Sequence, residues 1–129
     1  MNGRCMTLEL LAGSYAVARL DAGERLPDWV GEGPFVSITR TDAELSVVCP
    51  QEAVPPAVQA EPGWRCLRVR GPLGFGMTGI LAGLAGPLAS SGVSIFVVST
   101  YDTDYLMLQE RDLDRGIDAL SRAGHTVVR

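Results

Sequence analysis

The uncharged stretch from residue 71 to residue 101 constrains the fold of this chain more than any other feature. A run of this length could cross a bilayer if it formed one unbroken apolar helix. Seven glycines and two prolines interrupt it, and its apolar pattern changes from helical spacing to alternation. The stretch therefore predicts a packed helix followed by a strand, and it argues against a membrane-spanning segment.

The predicted helix and strand follow from the spacing of apolar side chains. One helix face would carry the residues spaced by three and four, namely Ile80, Leu81, Leu84 and Leu88. Pro87 falls inside this helix, where it removes the hydrogen bond that the carbonyl of Gly83 would otherwise accept. Gly92 supplies the positive φ that commonly ends a helix. Residues 93–98 then alternate with apolar side chains on both faces, which predicts a strand buried on both sides.

The rest of the sequence predicts strands and one further helix. Strands are expected at 6–10, 14–19, 35–40, 44–48, 64–69, 105–108 and 125–128. Apolar residues at helical spacing after residue 112 predict an amphipathic helix that ends at Gly124. Prolines and the lack of periodicity make residues 55–63 the best linker.

The order of these elements predicts an α+β protein with antiparallel sheets. Residues 63–129 follow strand-helix-strand-strand-helix-strand, which is the ferredoxin-like βαββαβ order. Residues 1–62 offer strands without long helices and are interpreted as a degenerate copy of the same plan. With 129 residues, the chain has room for one compact domain or two very small units that share a core.

Composition excludes several classes of function. A net charge of −4 without a basic cluster argues against nucleic-acid binding. The three cysteines are widely spaced and are expected to be buried, reduced thiols. With a single histidine and no cysteine near it, no metal site is predicted, and no nucleophile lies near that histidine to suggest an enzyme. No secretory signal pattern is present at the N-terminus, so we expect a cytoplasmic protein.

One glycine-rich motif matches a nucleotide-binding pattern but lacks the structural context that this pattern needs. Residues 74–79 match G-x-G-x-x-G between a strand and a helix, which is the dinucleotide-binding pattern. A dinucleotide-binding domain needs further parallel strands joined by crossover helices, and the strands on either side of residues 100–104 are linked too tightly to be parallel. A nucleotide-dependent enzyme therefore remains only a remote alternative, and no cofactor is predicted.

Two polar turns predict a ligand site. The turn at residues 74–78 leads into a helix N-terminus, whose free N–H groups attract anions such as a carboxylate. The turn at residues 100–104 carries the carboxylates of Asp102 and Asp104. Both turns should fall at one edge of the sheet. Donors beside a carboxylate suit a ligand that has both charges, such as a free amino acid.

The C-terminal part resembles a known family. The run Ser99 to Tyr105 matches S-T-Y-x-T-D-[YF], and the spacing of G-[IV]…PLA…[IV]S[IV] recurs from Gly79 to Ile95. Residues 64–123 are on this basis similar to ACT domains of the CASTOR type, best known in cytosolic arginine sensors, and to the regulatory ACT domains of aspartate kinases. Residues 37–50 resemble more weakly the segment that precedes such domains.

The resemblance implies two ACT-like units that pack side by side, and a small-molecule site at an interface between such units. By position, that site would be lined by Gly76, Met77, Thr78, Gly79, Thr100 and Asp104. Arginine-sensing relatives carry acidic residues in the turn before the helix, where this chain has Gly76-Met77-Thr78, so arginine is not the expected ligand. We predict a non-catalytic, amino-acid-binding regulatory protein that forms a homodimer. The alternative is an interaction module that dimerises through its sheets and binds no small molecule.

Overall fold

The computed structural model describes residues 5–71 and 78–129. Contacts divide the chain into two compact units, a C-terminal unit of residues 1–11 with 65–129 and an N-terminal unit of residues 12–64. The contacts thus place the first strand with the C-terminal unit, while the division of the sequence into 1–62 and 63–129 stays a prediction. The strands are β1 Thr7–Leu10, β2 Tyr15–Leu20, β3 Ser37–Arg40, β4 Leu45–Pro50, β5 Ala60–Val69, β6 Ile95–Ser99, β7 Asp104–Gln109 and β8 Thr126–Val128. The helices are α1 Ile80–Ser90 and α2 Leu113–Arg122.

The C-terminal unit has the predicted order β5-α1-β6-β7-α2-β8, with one strand added. Its strands lie in the order β8-β1-β5-β7-β6. β1 pairs antiparallel with β5 and parallel with β8, and therefore separates the first and last strands of the βαββαβ motif. β6 and β7 form the expected antiparallel hairpin. The α+β prediction is confirmed, and the inserted β1 is a feature that the spacing of the second half did not predict.

Helix α1 forms for the reasons its sequence suggests. Leu84 and Leu88 are fully buried, in a core that also includes Leu106 and Leu108 of β7 and Leu120 of α2. Gly92 has a φ of 73°, and the next amide donates to the carbonyl of Leu88 at 2.9 Å, so the helix ends where predicted. Leu81 was expected on the buried face but is 39% exposed. At about 100° per residue Leu81 lies only about 60° from Leu84 and about 20° from Leu88, so the helical angle does not explain its exposure.

A buried histidine completes the hydrogen bonding of α1. Pro87 lies inside the helix and has no N–H to offer the carbonyl of Gly83. His125 Nε2 lies 3.0 Å from that oxygen, and His125 Nδ1 accepts the amide of Met6 at 3.0 Å. Because Nδ1 is an acceptor, the ring proton resides on Nε2, which donates to Gly83. The imidazole therefore joins α1 to the backbone just before β1.

Strand β6 differs from its prediction. It was expected to be buried on both faces, but four of its residues are half-buried and Ser99 is exposed. Among the described strands, β6 pairs only with β7 and so lies at an edge of the sheet. Two apolar faces therefore do not imply a central strand here.

In the N-terminal unit, β2 pairs antiparallel with β4 and with the first part of β5, and β3 pairs with β4. Its described residues form only single 3-10 turns as helices, in agreement with the prediction of strands without long helices. The predicted linker at 55–63 is wrong in its last residues, since β5 begins at Ala60. Pro62 falls where the register between β2 and β5 shifts, and such an irregularity tolerates a proline that cannot donate to the ladder.

The cysteines are unpaired thiols in two environments. Cys49 and Cys66 are buried as expected, whereas Cys5 is exposed, so the prediction of three buried thiols is wrong for Cys5. Burial raises the pKa of the Cys66 thiol to about 12 and also raises the pKa of Cys49. Both buried thiols are therefore held in the neutral, unreactive form.

Candidate functional site

The hairpin turn between β6 and β7 is held by its own threonines. The Thr100 amide donates to the Thr103 carbonyl at 2.8 Å, and the Thr100 hydroxyl accepts the Thr103 amide at 3.3 Å. The buried Thr103 hydroxyl donates to the carbonyl of Val69 at 2.6 Å. The turn is thereby fastened to the end of β5, the strand from which the chain continues towards α1.

Of the predicted site residues, Asp104 has the most informative surroundings. Its Oδ1 accepts the hydroxyl of Ser99, its partner across the hairpin, at 2.6 Å. Alternation along β7 puts Asp104 on the same face as Leu106 and Leu108, which pack with the helices. Thr100 uses its side chain within the turn, as described above.

The other predicted residues belong to the turn before α1. Gly76 and Met77 lie outside the described residues. Thr78 and Gly79 are exposed, and Gly79 has a left-handed φ of 78° directly before the first helical residue. Its carbonyl accepts the amide of Gly83 at 2.9 Å, so α1 begins with a regular first turn. The grouping of all six residues into one site stays a prediction.

A cluster of charges on β1 and at the end of β5 was not predicted from the sequence. Arg68 donates to Glu9 Oε1 from Nε at 3.1 Å and from Nη2 at 2.7 Å. Arg70 donates to Glu9 Oε2 from the same two nitrogens at 3.1 and 2.9 Å. These hydrogen bonds, that of Arg68 first, lower the pKa of Glu9, and the bond to Glu9 raises the pKa of Arg68. The Arg-x-Arg alternation was the only local signal, since Glu9 lies 59 residues before Arg68.

The charge cluster forms one wall of a cavity of about 420 Å³. The other wall comes from the hairpin, through Asp102, Thr103 and Tyr105. Asp102 is exposed, and in residues 5–71 and 78–129 its carboxylate makes no hydrogen bond or ion pair. The structure thus separates the two aspartates of the turn, because Asp102 lines this cavity while Asp104 pairs with Ser99.

The described part of the chain contains neither a metal-binding cluster nor a membrane-spanning helix. No group of three histidine, cysteine or acidic side chains there is arranged to hold a metal ion. None of the helices formed by those residues has the length and apolar character that crossing a membrane requires.

Residues 59–122 match the family model of the ACT domain. Through residues 59–122 the chain belongs to the ACT-domain family. The match covers β5, α1, the hairpin of β6 and β7, and α2, which together have the order βαββα. A separate model, of an N-terminal domain, matches residues 13–57.

Two proteins are similar to this chain over most of its length. The rat cytosolic arginine sensor for mTORC1 subunit 1 is 37% identical over 89 residues, which are 68% of this chain and 26% of that protein. The chain therefore spans about a quarter of the length of that curated relative. The crystal structure of protein Atu0741 from Agrobacterium tumefaciens is 45% identical, with a TM-score of 0.93 over 98% of this chain and 94% of that one.

A third comparison concerns the fold alone. The regulatory subunit of aspartate kinase from Thermus thermophilus is 13% identical, with a TM-score of 0.59 over 90% of this chain and 95% of that chain. The predicted resemblance to CASTOR-type and aspartate kinase regulatory ACT domains is confirmed by these matches.

Proposed function

We propose that this ACT-domain protein is a non-catalytic regulatory protein of the cytoplasm that binds a free amino acid. The observation that carries the proposal is the hydrogen bond of 2.6 Å from the Thr103 hydroxyl to the Val69 carbonyl. It fixes the hairpin turn to the end of β5, from which the chain continues to the turn before α1. This supports the expectation that the two predicted polar turns meet at one edge of the sheet.

The ligand's two charges would be recognised by different turns. Its carboxylate would bind the N–H groups that open α1 at Thr78 and Gly79, where the helix dipole favours negative charge, with Gly76 and Met77 completing the turn. Its ammonium would bind Asp104, beside Thr100. Ser99 occupies one oxygen of Asp104, and a carboxylate has acceptor capacity beyond that one bond.

Arginine is not the ligand that we propose. The rat relative is named an arginine sensor. Here the turn before α1 contains Gly76-Met77-Thr78, which offers no carboxylate to a guanidinium. We therefore expect an amino acid whose side chain carries no positive charge.

We also propose that the protein forms a homodimer. β6 is an edge strand of the described sheet, and small domains commonly cover such edges by association. Light scattering at tens of micromolar should give about twice the chain mass of 13.7 kDa. A strict monomer would refute this part of the proposal.

A thermal-shift screen with the twenty amino acids and with NAD(P) tests the function. A ligand stabilises the folded protein by RT ln(1 + [L]/Kd), which is about 2.7 kcal/mol at a hundredfold excess over Kd. A shift with one amino acid supports the proposal, and a shift with NAD(P) alone supports a nucleotide-binding protein. Unchanged melting curves throughout would support an interaction module that binds no small molecule.

Calorimetry then tests the residue that we assign to the ammonium. A charge-assisted hydrogen bond contributes about 1.5–3 kcal/mol, so Asp104→Ala should weaken binding about tenfold to a hundredfold. The matched variant Asp102→Ala removes the neighbouring carboxylate of the same turn and should leave affinity at the Asp104 site unchanged. Equal affinities for the wild type and Asp104→Ala would exclude Asp104 from the site.

A further inference from the structure

The cavity of about 420 Å³ lies on the face of the C-terminal sheet that is opposite to the proposed site. Leu8, Leu67 and Leu106 belong to the core that includes α1 and α2. Their neighbours Glu9, Arg68 and Tyr105 alternate with them and therefore project from the other face. We propose that this cavity is a second binding site, whose ligand is a small zwitterion of the α-amino acid class.

The arginines supply preorganised donors for a carboxylate. Each guanidinium has five N–H groups, and each uses Nε and Nη2 to hold Glu9. Glu9 thereby fixes both planar groups in place. Arg68 also hydrogen-bonds Tyr105, so the Nη1 group of Arg70, which does not contact Glu9, is the donor best placed for a ligand. The side chain of Arg70 is 54% exposed, so a ligand can reach it without displacing Glu9. A guanidinium with a fixed orientation binds a carboxylate through paired hydrogen bonds.

Asp102 supplies the acceptor for an ammonium group. It lines the same cavity, and within the described residues it has no charged or hydrogen-bonding partner. The hairpin that carries it is anchored by the Thr103 hydroxyl, which donates to Val69 at 2.6 Å. Among the described residues, Asp102 is therefore a carboxylate without an ion-pair partner, on an anchored turn that lines the same cavity as Arg68 and Arg70.

The balance of charge selects the class of ligand. The cavity contains two guanidiniums and two carboxylates, so their formal charges sum to zero. An anion without an ammonium would leave Asp102 unpaired, and a cation would meet Arg70 without offering it an acceptor. A zwitterion would place its carboxylate against the arginines and its ammonium group against Asp102, so that both are paired. A volume of about 420 Å³ is at the lower end of the range for small-molecule sites, which suits a ligand as small as an amino acid.

The proposed cavity site is independent of the site at Asp104, and titration calorimetry distinguishes the two sites. Wild-type protein is titrated with each of the twenty amino acids, and the tightest binder is then compared with its α-amide and its N-acetyl derivative. The variants are Arg70→Gln and Asp102→Asn, with Asp104→Ala for the other site. The matched control is Arg115→Gln, because Arg115 is also 54% exposed and also pairs with a carboxylate, that of Asp112.

We expect Arg70→Gln and Asp102→Asn each to weaken one binding component at least tenfold, while Asp104→Ala and Arg115→Gln leave that component unchanged. The α-amide and the N-acetyl derivative should each bind it at least tenfold more weakly, since each lacks one of the two charges. Melting temperatures of all variants check that the fold is retained, as half-exposed ion pairs contribute little to stability.

Glu9→Gln provides a readout that a purely structural ion cluster would not change. It raises the net charge of the cavity by one, so the N-acetyl derivative, an anion, should bind this variant more tightly than it binds the wild type. Wild-type affinity in both Arg70→Gln and Asp102→Asn would overturn the inference, as would the absence of any amino-acid binding to the wild type. Loss of all binding in Asp104→Ala alone would overturn it while leaving the proposed function standing.

Discussion

His125 should be essential for stability because it replaces a hydrogen bond that Pro87 removes from α1. His125 is 7% exposed, and its imidazole lies 3.0 Å from the Met6 amide on one side and 3.0 Å from the Gly83 carbonyl on the other. His125→Phe keeps a planar ring of similar volume and removes both bonds. The Met6 amide and the Gly83 carbonyl are partly buried, and a buried group without a partner costs about 1–3 kcal/mol, so we expect a loss of about 2–4 kcal/mol in the free energy of unfolding.

A double-mutant cycle isolates the part of this free-energy loss that comes from the hydrogen bond to the Gly83 carbonyl. Pro87→Ala restores an N–H that can donate to the Gly83 carbonyl within the helix. In that background His125→Phe should therefore cost about 1 kcal/mol less than it costs in the wild type. Gly86→Ala is the control, because it also raises helix propensity. A Cβ added at Gly86 meets nothing within 4 Å, and the amide of residue 86 does not face the carbonyl of Gly83.

Urea denaturation followed by circular dichroism measures all of these variants. The cost of His125→Phe should be the same in Gly86→Ala as in the wild type and smaller in Pro87→Ala. A cost that is equal in all three backgrounds would refute the assignment of Nε2 as the donor to Gly83. A cost below about 0.5 kcal/mol, the size of an ordinary surface substitution, would refute the structural role of the imidazole altogether.

Three further predictions concern pH, thiol chemistry and the hairpin. The folded pKa of Glu9 lies below its usual 4.5, so the stability difference between wild type and Glu9→Gln should be full above pH 4.5. It should vanish as the pH falls through the folded pKa, and denaturation curves that differ equally at pH 7 and pH 3 would contradict this. In the native protein at pH 8, a thiol reagent should modify exposed Cys5 and spare buried Cys66, whose pKa is about 12. Mass spectrometry identifies the modified residue, and modification of Cys66 before Cys5 would contradict the prediction. Thr103→Val, which has nearly the same shape, should destabilise by about 1–3 kcal/mol because the Val69 carbonyl loses its hydroxyl donor, and unchanged urea midpoints would argue against that bond.

The sequence alone determined the elements whose causes are local. Helix α1 and its end at Gly92, the hairpin of β3 and β4, and helix α2 all follow from spacing and turn residues within a few positions of each other. The turn at Thr100–Asp104 belongs to this class, because threonine and aspartate close turns through bonds to near neighbours. That part of the candidate site was therefore predictable.

Only the tertiary structure decided which distant segments meet. β1 inserts between β5 and β8, β6 lies at an edge although both its faces are apolar, and β5 begins inside a segment that looks like a linker. The cavity beside Asp102 exists because the fold brings Glu9 into contact with Arg68, which lies 59 residues later in the sequence. Strand neighbours depend on which pairing buries the most apolar surface over the whole unit, and no window of local spacing contains that information.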